Sequence, residues 1–177
     1  MPRTVPVAAS VVPGAFETAA LWNAQVKALN DFLSAPPVFS GYATTTQSIP
    51  NGNAMTALNF DTEILDSDGG HSTVTNTSRY TATVPGLYLV FGFVGWANTS
   101  GGDRRIQIAL NGASVIGSAV SMDPGQPVIH GLASSAFVTM NGATDYVEVQ
   151  AGHTAAANLL TSTGSFAPAM RVVWISR

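Results

Sequence analysis

From Val38 onward, short runs of alternating apolar and polar residues are broken by turn dipeptides, and this punctuation restricts the fold more than any other feature. Alternation of period two puts successive side chains on opposite faces of a strand. Ile106, Ile108 and Leu110 oppose Arg105, Gln107 and Asn111, and Val147 and Val149 oppose Glu148 and Gln150, so these strands build sheets with one dry and one wet face. Asn51-Gly52, Asn111-Gly112 and Asn141-Gly142 supply the residue pair that tight hairpins favour. Candidate strands cover 38–46, 54–60, 71–75, 79–84, 87–97, 104–111, 113–121, 128–140, 144–151 and 168–176. That number suits an all-β, antiparallel two-sheet sandwich of the meander or jelly-roll kind. No long linker splits residues 38–177, which read as one head, with 1–37 as a separate N-terminal arm and helix.

Residues 18–33 are the one stretch with helical periodicity. Thr18 can cap it, Glu17 complements the helix dipole, and Pro36-Pro37 stops it. Trp22, Val26, Leu29 and Leu33 form an apolar seam with Phe32 beside it, which needs a partner: either its own head or copies of itself in a bundle. Pro6 and Pro13 interrupt what would be the apolar stretch of a secretory signal, so the N-terminal residues read as part of the mature protein and as a docking peptide.

Residues 87–96 depart from one-sided alternation. Leu87, Leu89, Phe91 and Phe93 lie on one face, and Tyr88, Val90, Val94 and Trp96 on the other. The C-terminal strand behaves similarly, with Met170, Val172 and Trp174 opposite Val173 and Ile175. A sandwich core covers one such face. Neighbouring subunits are the simplest cover for the second, the alternative being a strand buried centrally in one chain. With 10% charged and 46% hydrophobic residues, the chain has little polar surface to hold copies apart, which also favours a large subunit interface. The expected interface comprises Tyr88, Val90, Val94 and Trp96 together with the helix seam Trp22, Val26, Leu29 and Leu33.

The run Arg79-Tyr80-Thr81-Ala82-Thr83-Val84-Pro85-Gly86-Leu87-Tyr88-Leu89-Val90 resembles the signature of the complement globular-head and tumour-necrosis-factor-like jelly rolls. The likeness extends to Phe60-Asp61, to Leu110-Asn111-Gly112, and to the segment Met140 to Val149, which is similar to the family's "L-x-x-G-D-x-V-x-L" strand. The resemblance implies a jelly roll and a homotrimer. The chain departs from animal members in having no cysteine, no Gly-X-Y stalk and no signal peptide. Val12-Pro13-Gly14, Thr18 through Val26, Leu29 through Leu33 and Pro36-Pro37 are in turn similar to leaders of virion proteins from phages of actinobacteria. That second resemblance implies a minor tail, fibre or decoration protein, attached through residues 1–37 to other virion proteins and released with the particle by lysis.

Catalytic and ligand-binding patterns are sparse. Asp61, Glu63, Asp66 and Asp68, followed by Gly69-Gly70-His71, partly match a calcium loop but lack its glycine and distal glutamate spacing. Calcium is the single cofactor worth considering, and a solvated turn is the expected alternative. His71, His130 and His153 lack metal-site spacing, and the chain has no G-x-S-x-G elbow, phosphate loop or dinucleotide fingerprint. With a net charge of −3 and scattered basic residues, no nucleic-acid stripe forms. No window approaches the roughly 18 apolar residues of a membrane span. The sequence therefore predicts a trimeric, non-catalytic jelly-roll knob that decorates or braces a virion or touches the host surface. A lectin-like module that binds cell-surface glycan, using aromatics such as Tyr42, Trp96 and Tyr146, is the alternative.

Overall fold

A computed structural model of the chain describes residues 3–8, 12–14, 16, 18–99 and 101–177. Glu17, expected to complement the helix dipole, lies outside the described residues. The helix, α1, runs through an α-helical turn (Ala19–Trp22), a π-helical stretch (Asn23–Lys27) and a second α-helical stretch (Ala28–Ser34). Thr18 caps it as expected: the Leu21 N–H donates to Thr18 Oγ1 at 3.1 Å.

Among the described residues thirteen strands follow: β1 (Val38–Tyr42), β2 (Ser48–Ile49), β3 (Thr56–Ala57), β4 (Thr62–Asp66), β5 (Arg79–Thr81), β6 (Gly86–Trp96), β7 (Arg104–Leu110), β8 (Ala113–Ser114), β9 (Val120–Met122), β10 (His130–Met140), β11 (Tyr146–His153), β12 (Leu159–Leu160) and β13 (Ala169–Ser176). Sheet I has the order β10-β6-β13-β1-β4. Sheet II has the order β3-β11-β7-β8, with β5 pairing β11 and β9 pairing β7, and β12 and β2 form a separate ribbon. All pairings are antiparallel. The result is a jelly-roll sandwich with one short helix, the fold class that the alternation predicts.

Three local expectations are corrected. Residues 71–75 form no strand; the acidic segment before them does, as β4 at the edge of sheet I. Residues 113–121 divide into β8 and β9 around a loop in which Gly117 has φ +82° and Ile116 is fully exposed. Of the three Asn-Gly pairs, only Asn111-Gly112 makes a hairpin: both residues have positive φ, and Leu110 pairs with Ala113 directly across the turn. Asn141-Gly142 instead leads β10 of sheet I into β11 of sheet II. Asn141 Oδ1 accepts from the N–H groups of Ala143, Thr144 and Asp145, stabilising a loop rather than a two-residue turn. Asn51-Gly52 lies between β2 and β3, which do not pair.

The core fills the space between the sheets. From sheet I come Phe39, Tyr88, Val90, Val94, Met170 and Val172; from sheet II, Tyr80, Ile106, Ile108, Val147 and Val149, all fully buried. Gly92 of β6 faces Val149 and Ile108 of sheet II across this core. A Cβ there would lie 2.7 Å from Val149 Cγ1 and 3.1 Å from Ile108 Cδ1, so only glycine fits without displacement.

Candidate functional site: the outer face of sheet I

The register of β6 decides which of its faces looks outward. Tyr88, Val90, Val94 and Trp96 are completely buried within the single chain. Their assignment to a subunit interface is therefore corrected: these four side chains already pack against sheet II and have no surface left to offer a partner. Tyr88 illustrates the environment, with its hydroxyl donating to the Val84 carbonyl at 2.5 Å and burial pushing its pKa up to about 12. The opposite face, Leu87, Leu89, Phe91 and Phe93, stays half-buried. The C-terminal strand divides the same way, with Met170, Val172 and Trp174 inside and Val173 and Ile175 outside.

Neighbouring strands extend this outer face. Phe137 of β10 pairs with Leu89 and is 64% exposed; Val173 of β13 pairs with Leu89 from the other side and with Val38 of β1. One row nearer the far end, Ser135, Phe91, Arg171, Ser40 and Leu65 lie side by side across the sheet. In β4, register shifts at Ile64, so Ile64 joins Leu65 as an exposed apolar residue on the sheet edge. The outer face of sheet II is different: it carries an Arg79–Glu148 ion pair at 3.0 Å, a Gln107–Gln150 hydrogen bond at 2.8 Å and an Arg105–Asp103 contact at 3.2 Å.

The helix meets the head through Phe32 and not through its seam. Phe32 is 5% exposed and packs edge-on against Trp174, with ring centroids 4.9 Å apart. Trp22 and Leu33 remain 50% and 62% exposed, and Val26 and Leu29 half-buried. Arg3 closes the joint: its guanidinium holds both Asp68 oxygens at 2.5 and 3.1 Å, donates to the Ala35 carbonyl at 2.5 Å, and lies 5.4 Å from the Phe32 ring centroid. The Asp68 side chain is 3% exposed.

The other acidic residues are likewise occupied, each in a different place. Asp61 accepts from the Thr44 N–H and hydroxyl at 2.8 and 2.7 Å. Desolvation raises its pKa, but the bonds from Thr44, Thr62 and Thr45 outweigh that and hold it below the usual carboxylate value. Glu63 takes His71 Nδ1 at 2.8 Å, and Asp66 accepts from the N–H groups of Asp68, Gly70 and His71, capping the turn after β4. Asp61, Glu63, Asp66 and Asp68 therefore do not converge on one point, and no group of three metal-binding side chains stands together among the described residues.

One internal charge was missed in the sequence although alternation signals it. Arg104 shares the inward parity of Ile106 and Ile108 in β7 and is fully buried, wrapped by the loop before it: its Nη atoms donate to the carbonyls of Thr99, Gly101 and Gly102. Desolvation lowers its pKa. Within the described residues no helix is long and apolar enough to cross a membrane.

No family model matches the sequence, and no curated protein is similar to it in sequence. Its likeness to known proteins lies in the fold. The chain superposes on the globular domain of zebrafish complement 1qA protein with a TM-score of 0.58 at 15% identity, covering 80% of this chain and 98% of that one. Murine APRIL superposes with a TM-score of 0.57 at 12% identity, covering 78% and 98%. The protein thus has the jelly roll shared by complement globular heads and tumour-necrosis-factor-like ligands, as the run around Gly86 implies.

Proposed function

We propose that the chain forms a homotrimeric, non-catalytic recognition knob, assembled through the outer face of sheet I and displayed on a phage particle. The observation that carries self-association is the contrast between the two outer faces. That of sheet II is tied up in polar pairs, whereas that of sheet I carries exposed Phe137 beside half-buried Leu89, Phe91, Phe93 and Val173. Apolar side chains grouped in this way on an outer sheet face favour burial against a second copy. The resemblance to complement-type jelly rolls supplies the threefold number, and covering three copies of this face at once satisfies closed symmetry.

The helix seam, with Trp22 and Leu33 exposed and Val26 and Leu29 half-buried, is the second contact, a short bundle of three helices beneath the heads. Display on a virion rests on the leader resemblance: residues 1–37 contact other virion proteins, and the head braces the particle or meets host cell-surface glycan. Mass spectrometry of purified particles, followed by antibody labelling in electron micrographs, tests this. The chain is expected in stoichiometric amount at a fixed location. Its absence from intact particles contradicts the virion reading and leaves the lectin-like module.

A further inference from the structure

Arg171 occupies the centre of this outer face, on the middle strand of sheet I, between Phe91 of β6 and Ser40 of β1. Its guanidinium lies 5.9 Å from the Phe91 ring centroid and, among the described residues, makes no hydrogen bond or ion pair with the protein. The other arginines of the sandwich body are used internally: Arg79 with Glu148, Arg105 with Asp103, and Arg104 with its own loop. The outer face offers Arg171 no carboxylate, since the one acid in mid-β4, Glu63, bonds to His71, which stacks on the core residue Phe39. A cation is costly on a face destined for burial unless an anion neutralises it.

Beside Arg171 lies a cleft of about 370 Å³, with Phe91, Phe93 and Ala169 among its lining and Tyr42 and Ile64 at its side. This volume suits a small organic molecule. A guanidinium grips a carboxylate through two parallel N–H bonds, and aromatic walls offer stacking to a flat ring.

We propose that this cleft is a site for a small organic anion, one carboxylate on a flat apolar body, which the neighbouring copy of the chain closes over. The closure rests on the self-association reading; the chemistry belongs to the single chain. Benzoate, benzyl alcohol (ring without charge) and acetate (charge without ring) serve as probes in nuclear magnetic resonance titrations of the wild type and of Arg171→Met, with sedimentation velocity on the same samples. Benzoate is expected to bind the wild type at least about tenfold more tightly than either fragment. Arg171→Met should lower benzoate to the level of benzyl alcohol while the chain stays folded and associated. Equal binding of benzoate and benzyl alcohol by the wild type, or undiminished benzoate binding by Arg171→Met, overturns the proposal. Monomers that still prefer benzoate by that margin keep the site and remove self-association, whereas trimers without the preference do the reverse.

Discussion

Gly92→Ala addresses the orientation of β6, on which the location of the interface depends. Gly92 shares a face with Tyr88, Val90, Val94 and Trp96, and an added methyl would stand 2.7 and 2.8 Å from the two Val149 methyls and 3.1 Å from Ile108 Cδ1. All three contacts come from sheet II of the same chain, and the two shortest are to methyls of β-branched Val149, which has no longer reach to swing away, so the sheets must separate by several tenths of an ångström. Overpacking of this kind costs about 1–3 kcal/mol. For a chain of this size that lowers Tm by roughly 2–12 °C. Thermal melts followed by circular dichroism measure the loss. Adding Val149→Ala to Gly92→Ala makes room for the methyl, so the double variant should lose less than the sum of the two single variants. If the Gly92 face instead lined a subunit contact, Gly92→Ala would leave the melt of the dissociated chain unchanged and alter the association constant. That outcome would refute the inward assignment of Tyr88, Val90, Val94 and Trp96.

Three further outcomes follow from the joints of the molecule. Phe32→Ala removes the side chain that seats the helix on Trp174; hydrogen exchange at residues 19–34 should rise by an order of magnitude or more, with protection in β6 and β13 unchanged. Arg3→Ala leaves the nearly enclosed Asp68 carboxylate without its cation and should cost about 1–3 kcal/mol, while a double-mutant cycle with Asp68→Asn should give a coupling of at least about 0.5 kcal/mol. Because the folded-state pKa of Asp61 lies below its unfolded value of 3.8, its contribution is present above that pH and fades as pH falls through the folded value. Asp61→Asn should therefore narrow its stability deficit relative to wild type below about pH 4, as read from urea unfolding midpoints.

The two-sheet architecture was legible because apolar and polar residues alternate in β7 and β11, although in β11 the expected wet face is itself covered, Glu148 and Gln150 being buried with polar partners. The strand β4 was hidden because its register shift at Ile64 breaks the alternation and its carboxylates imitate a loop. Periodicity grouped Tyr88 with Val90, Val94 and Trp96 correctly, but it cannot say which of two apolar faces looks inward. Close approach of the sheets at Gly92 decides that, and it depends on Val149 and Ile108, more than fifteen residues away in sequence. The helix seam was visible as spacing, whereas its docking through Phe32 needed Trp174 and Arg3 in place. The inward position of Arg104 follows from its parity with Ile106 and Ile108, but what satisfies its charge there was not legible, since its partners are mainly backbone carbonyls, which every loop possesses.

The central claim, that the outer face of sheet I is where copies of this chain meet, is tested most directly by sedimentation equilibrium at micromolar concentration on the wild type and on the Phe91→Asp, Phe137→Asp double variant. Both positions face outward from sheet I, so the variant should keep its circular dichroism spectrum. The expected result is three times the chain mass for the wild type and a single chain mass for the variant. A folded wild-type monomer, or a variant that remains trimeric, would contradict the account.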